Sequence, residues 1–268
     1  MIRDITLGQY YQADSLIHKM DPRVKLIGTL CYIISLFIFK NITAYLVATV
    51  FLISVIKISK VPFKFITKGM KSILILMMIT VVFNLFLTPG EAIVTFWRFS
   101  ITREGIAAAI YMIIRLSYLI VGSSLMTLTT TPNNLTDGME KLMKPLKIFK
   151  VPVHEIAMMM SIALRFIPIL LEETDKIMKA QMARGADFES GNLFQKAKSL
   201  VPLLVPLFIS AFRRANDLAM AMEARCYRGG EGRTKMKPLN YKKVDYCAYT
   251  ILAFYMVAIV AAGKWGII

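Results

Sequence analysis

The chain has 268 residues, is 56% hydrophobic and carries a formal net charge of +16. So many apolar and basic residues cannot share one water-facing surface. The composition therefore excludes an ordinary soluble domain, and also a nucleic-acid reader, whose basic patch would lie on a polar fold. A membrane protein keeps the two apart, with apolar runs in the bilayer and Lys and Arg at its edge.

Residues 1–23 hold Asp4, Asp14 and Asp21 among polar groups and do not read as a signal peptide. Five segments then predict membrane spans: Val24–Phe39, Ile42–Ile58, Ile73–Thr88, Ile106–Thr130 and Tyr246–Ala262. Several are shorter than the ~20 residues a perpendicular helix needs, and flanking Lys and Tyr extend them by snorkelling. Lys40-Asn41 leaves room only for a tight hairpin between the first two. Lys57, Lys60, Lys64, Lys68 and Lys71 stand between the second and third spans. Only Arg98 and Arg103, set against Glu91 and Glu104, stand between the third and fourth. Residues 131–245 carry 19 Lys and Arg. The positive-inside rule then sets the N-terminus and the large basic region in the cytoplasm and the C-terminus outside. The expected organisation is an N-terminal segment with four spans over 1–130, a cytoplasmic domain over 131–244 and a final span over 245–268.

Within the basic region, Thr131-Pro132 predicts the start of a short helix running toward Pro145, since Thr caps and Pro fits a first turn. A longer helix follows from Val153 to Arg184. Ile156, Met160, Ala163, Ile167, Leu170, Thr174, Ile177 and Gln181 mark one face of it at steps of four and three. A second long helix starts near Ser199, is apolar through Ile209, turns polar at Arg213-Arg214 and ends at Arg225. Tyr227–Lys243 reads as a loop. Charges interrupt both long helices, so both are expected beneath the bilayer rather than across it.

Both end in a similar tripeptide: Ala183-Arg184-Gly185 and Ala224-Arg225-Cys226. An Arg at a helix tip projects a planar, permanently charged fork, Ala keeps the neck narrow, and Gly turns the chain away. Such a tip suits a groove lined by carboxylates or carbonyls on another protein. A C-terminal Arg also complements the helix macrodipole by roughly 0.3–1 kcal/mol. One copy needs no further explanation than that. Two copies favour docking onto two similar partners. Met158, Met159, Met160, Met178, Met182, Met220 and Met222 concentrate on the same helices. Their flexible thioethers suit either a surface that accepts varied partners or ordinary core filling.

These residues resemble the transmembrane T component of energy-coupling factor transporters, which is similar to the membrane subunit of cobalt importers. Gly8-Gln9-Tyr10, Asp14-Ser15, His18, Asp21-Pro22-Arg23 and Lys25 look like that family's N-terminal signature. Glu155 to Pro168, with Ala163-Leu164-Arg165-Phe166-Ile167-Pro168, resembles the opening of its long cytoplasmic helix. The two tripeptides match its Ala-Arg-Gly motifs, with Cys226 where the family usually has Gly. The resemblance implies an all-α integral membrane protein with about five transmembrane helices and long cytoplasmic coupling helices, set in a bacterial cytoplasmic membrane. It implies a non-catalytic subunit that holds no cofactor or metal. Two partner ATPases of the ABC type would bind ATP and Mg, a separate S component would bind a vitamin or metal ion, and this chain would connect them. Arg184 and Arg225 would each seat in one ATPase, and the methionines would face the S component. Membrane lipid is the other partner, and nucleic acid is not one.

Other features weigh less. Cys31, Cys226 and Cys247 form no CxxC pair and read as free thiols. Arg115 lies inside the fourth span with no acidic residue in another span, which leaves a carbonyl, Asn84, a lipid headgroup or a partner chain as its contact. His18 and His154 read as structural or capping. An intramembrane protease is the alternative from another class, yet the chain has no HExxH and no His, Asp or Glu cluster in its spans, and without a Walker loop it is not expected to hydrolyse ATP alone. A self-sufficient secondary transporter would show inverted repeats, which five spans with one long insert do not provide.

Overall fold

A computed structural model describes residues 10–38, 41–90, 92–96, 99–186, 188, 192–230, 232 and 236–265. Gly8 and Gln9 of the N-terminal signature, together with Phe39, Lys40, Glu91 and Arg98, lie outside them. The fold is all-α apart from one short ribbon. Its helices are α1 (Leu16–Lys19), α2 (Pro22–Ile38), α3 (Ile42–Ser59), α4 (Phe63–Leu87), α5 (Arg103–Thr129), α6 (Pro132–Met143), α7 (Val153–Ala183), α8 (Leu193–Ala224) and α9 (Lys243–Trp265). A 3-10 helix, Lys144–Phe149, joins α6 to α7. Between α4 and α5 the chain forms the antiparallel ribbon β1 (Ala92–Phe96) and β2 (Phe99–Thr102), with Phe96 opposite Phe99.

Each expected span falls on a helix, with ends within three residues of those expected, except that α4 begins at Phe63, ten residues before Ile73. Among the described residues, four helices are long and apolar enough to cross a membrane: Ile42–Ser59, Arg103–Thr129, Val153–Ala183 and Lys243–Lys264. Ile73–Leu87 within α4 is apolar but shorter. The 17 residues of α2 reach about 26 Å, just under the ~30 Å hydrocarbon core. Val153–Ala183 corrects the expectation that charges bar both long helices from the membrane. From Val153 to Leu171 only Glu155 and Arg165 are charged, and the interrupting residues Glu172, Glu173, Asp175, Lys176 and Lys179 all follow. The charge pattern does not exclude that half from the bilayer.

The chain divides into two compact units, Leu142–Pro238 and the rest of the described residues. In the unit that holds α2–α5 and α9, one buried cluster runs through Tyr32, Leu36, Ala44, Tyr45, Ala48, Leu52, Val121, Leu125, Leu128, Leu252, Tyr255 and Ile259. Ala44 and Ala48, one turn apart on α3, are almost fully buried, so small side chains mark the packed face of that helix. Polar groups in an apolar setting need internal partners. Asn41 Nδ2 donates to Gly263 O and Thr43 Oγ1 to Ala262 O, both at 3.0 Å, satisfying carbonyls near the end of α9. Thr102 caps α5 by accepting from Gly105 N at 3.0 Å and donating to Thr88 O at 2.9 Å.

In the other unit, α7 and α8 run antiparallel. Gln181 Nε2 reaches Pro202 O at 3.4 Å near one end. Midway, Glu173 accepts from Ser210 Oγ and pairs with Arg214 at 2.8 Å. At the far end Met158 and Ile162 of α7 lie with Leu218 and Met222 of α8 around one hollow.

Candidate functional site

The two arginine tips close their helices in the same way. Arg184 is the C-cap of α7 with φ −89° and ψ 6°, and Arg225 is the C-cap of α8 with φ −91° and ψ 12°. After Arg184, Gly185 N donates to Met182 O at 2.9 Å and Ala186 N to Gln181 O at 3.0 Å. After Arg225, Cys226 N donates to Glu223 O at 2.8 Å and Tyr227 N to Met222 O at 3.0 Å. These are the paired bonds of a Schellman cap. Gly185 takes the left-handed conformation such a cap requires, at φ +87°, and Cys226 takes it at φ +56°. The side chain of Cys226 therefore does not change the exit of the chain, although an L-residue in that conformation costs roughly 1–2 kcal/mol. Ala183, Arg184, Gly185, Ala224, Arg225 and Cys226 are all exposed.

Antiparallel packing sets the two tips at opposite ends of the helix pair. Arg184 follows the end of α7 that lies beside the first turns of α8, and Arg225 stands with Met158 and Ile162 near the start of α7. The 25 residues from Met158 to Ala183 span roughly 38 Å of helix. Two exposed arginines thus stand at well-separated places on one helix pair.

Beside Arg225 lies a half-open hollow of about 430 Å³, walled by Met158, Ile162, Leu218 and Met222 and rimmed by Arg225 and Arg228. Gly230 forms part of the turn behind it. A Cβ there would stand 2.3 Å from Cδ2 of His154, so a larger residue would force that imidazole or the segment after α8 to shift. Met159, Met182 and Met220 are exposed, while Met158, Met160, Met178 and Met222 are half-buried. Among the described residues no three of His, Cys, Asp or Glu stand together as metal ligands would.

The N-terminal signature residues converge at the other unit's polar edge. Asp245, buried at the start of α9, accepts from Asp21 N at 2.8 Å and from Lys242 N at 2.7 Å. Arg23 Nε and Nη2 donate to the two oxygens of Asp21 at 2.9 and 2.8 Å, and its guanidinium lies 3.9 Å from the Tyr241 ring centre. Burial pushes the Asp21 carboxyl up, but the hydrogen bonds and charge of Arg23 outweigh it and hold the group below the usual aspartate value. Lys25 Nζ donates to Thr129 O at 2.8 Å, at the negative end of α5. His18 Nε2 donates to Tyr11 O at 2.9 Å, so Nδ1 accepts from the Ser15 hydroxyl at 2.6 Å, and burial lowers its basicity. Both ring nitrogens serve structure. Asp245 was not singled out from the sequence, because its role needs the meeting of residues 21 and 245.

Arg115 also finds a contact that sequence did not offer. Its Nε donates to the Tyr45 hydroxyl at 3.0 Å, and its guanidinium lies 5.6 Å from the centre of Phe37. A hydroxyl and an aromatic face, rather than a carboxylate, hold this cation.

Comparison with known proteins identifies the family. Residues 13–236 match the family model of CbiQ, described as cobalt transport protein. A Clostridium kluyveri protein named energy-coupling factor transporter transmembrane protein EcfT is 57% identical over 269 residues, which cover 99% of this chain and 100% of that protein. Proteins of the same name from Acidaminococcus fermentans and Bacillus subtilis are each 49% identical. Their alignments cover 100% and 91% of this chain, and 99% and 93% of their own lengths. The chain belongs to the EcfT family, the energy-coupling transmembrane components of energy-coupling factor transporters.

Proposed function

We propose that this chain carries ATP-driven movement from two ABC-type ATPase subunits to an S component that binds a vitamin or metal ion, in a bacterial cytoplasmic membrane. The observation that carries this reading is the pair of exposed, equally capped Arg tips at opposite ends of α7 and α8. Each tip takes one ATPase. Arg184 and Arg225 seat their guanidinium forks among acceptors in a groove on their own subunit. Closure of the two ATPases on ATP moves the tips together and turns the apolar faces of α7 and α8 against the S component. ATP and Mg are held by the ATPases, and this chain performs no chemistry on them. Met159, Met182 and Met220, exposed on the two helices, belong to the surface that meets S components. The lysine distribution supports a cytoplasmic N-terminus and an external C-terminus.

Co-purification with co-expressed ATPase subunits tests the reading. Removing one member of a buried interfacial charge pair costs about 2–5 kcal/mol. Arg184→Glu or Arg225→Glu should each weaken retention of the ATPases, and the double variant should abolish both retention and uptake while still folding. Unchanged retention and uptake by the double variant would overturn it.

A further inference from the structure

We propose that Lys144–Phe149, with Lys150, is an interfacial anchor that seats on the anionic lipid surface of the membrane. This segment plays no part in the docking argument above. Its sequence, Lys144-Pro145-Leu146-Lys147-Ile148-Phe149-Lys150, folds as a 3-10 helix closed by Lys150 in the left-handed conformation at φ +59°. In a 3-10 helix, residues three apart share an edge. One edge therefore carries Lys144 and Lys147, a second Leu146 and Phe149, and a third Pro145 and Ile148. Two apolar edges and one basic edge make a short amphipathic wedge.

The wedge is uncovered within this chain. Ile148 is 83% exposed and Phe149 77%, and Leu146 and all three lysines are also exposed. A large aliphatic and an aromatic side chain standing side by side in water are unfavourable by the apolar area they present. Charge complementarity identifies what covers them. From Lys141 to His154 the chain has four lysines and no acidic residue. A lipid surface offers apolar depth and negative charge together: acyl-chain boundary for Ile148 and Phe149, phosphates for Lys144, Lys147 and Lys150. The anchor immediately precedes α7, so it would fix the N-terminal end of that helix at the leaflet while Arg184, 31 residues of helix away, remains free to move.

The test uses the full chain in nanodiscs with Phe149→Trp as the sole tryptophan, Trp97 and Trp265 having been replaced by Phe. Asn216→Trp, at an exposed polar site on α8, is the water-facing control. Discs are made from phosphatidylcholine alone or mixed with phosphatidylglycerol, with and without lipids spin-labelled near the head of the acyl chain. The anchor predicts blue-shifted emission at position 149, quenched by the spin label and more so in the anionic discs. Each lysine contributes roughly a fivefold preference for the anionic surface. The Lys144→Gln, Lys147→Gln, Lys150→Gln variant should therefore lose the difference between the two disc types. Emission like that of the position-216 control, without quenching, would overturn the proposal. So would blue-shifted emission that ignores the lipid label, which would mean that protein covers the wedge. Quenching of equal strength in both disc types would overturn the anionic assignment.

Discussion

The unit that holds α2–α5 and α9 has a continuous buried cluster from Tyr32 to Ile259, beneath an outer layer of exposed apolar side chains. Leu142–Pro238, among its described residues, buries only Val153, Ala157 and Leu203 among its hydrophobics. Yet α8 leaves Val201, Leu204, Val205, Phe208, Ile209 and Phe212 exposed along much of its length. The first unit is stabilised by contacts it makes with itself. The second has one sparse contact line between two long helices, so its apolar surface is built to be buried by something else. Contact within the chain sets the geometry of the spans, whereas α7 and α8 present apolar surface that contact within the chain does not bury.

Substitutions can break that comparison, and the largest effect is expected inside the first unit. Asp245→Ala removes the acceptor of the buried Asp21 N–H, at roughly 1–3 kcal/mol, and of the partly solvated Lys242 N–H, at less, and should lower stability by about 2–4 kcal/mol in thermal unfolding in detergent. Acid should act on the same cluster. Because Asp21 is held below the ordinary aspartate value of about 3.9, it contributes stability that is fully present above that pH. That contribution is lost as pH falls through its lowered folded value. Asp21→Asn should flatten the acid limb of the unfolding temperature against pH, and an unaltered limb would assign the loss elsewhere.

Effects should be smaller in the second unit. Cys226→Gly relieves a left-handed L-residue at the expense of some chain entropy, a net gain of about 0.5–1 kcal/mol, and should leave ATPase retention intact. Glu173→Ala frees Ser210 and Arg214. That ion pair is partly solvated, so the loss should be only about 0.5–1 kcal/mol. Phe208→Ala sits on an exposed face and should change stability by less than about 0.5 kcal/mol while weakening association with the S component. A large loss of stability from Phe208→Ala would show that α8 is packed for its own sake, and would erase the contrast.

Helices and their ends were legible in the sequence because periodicity and capping residues act locally. Thr131-Pro132 opens α6 and the Ala-Arg pairs end α7 and α8 where the sequence places them. Pairwise facts were not legible. Antiparallel packing, which sends Arg184 and Arg225 to opposite ends, shows only in contacts such as Glu173 with Arg214 between residues far apart in the chain. The Arg115–Tyr45 contact joins residues on two helices, and Asp245 was hidden because its partners are backbone groups on residues 21 and 242. The start of α8 moved from Ser199 to Leu193 because an Asn192–Gln195 capping box begins the helix before its apolar run. The β1–β2 ribbon gave no signal, being only four or five residues per strand. Cys226 is the instructive departure: its left-handed cap is imposed by the bonds to Glu223 and Met222, not by glycine.

The claim that one tip serves each ATPase is tested most directly by photo-crosslinking. A benzophenone amino acid is placed at position 184, at 225, or at both, in chains co-expressed with the ATPase subunits. The account predicts one ATPase crosslinked per chain from either single site and two per chain from the double site. A single ATPase from the double site, or none from either site in a folded complex, would contradict it.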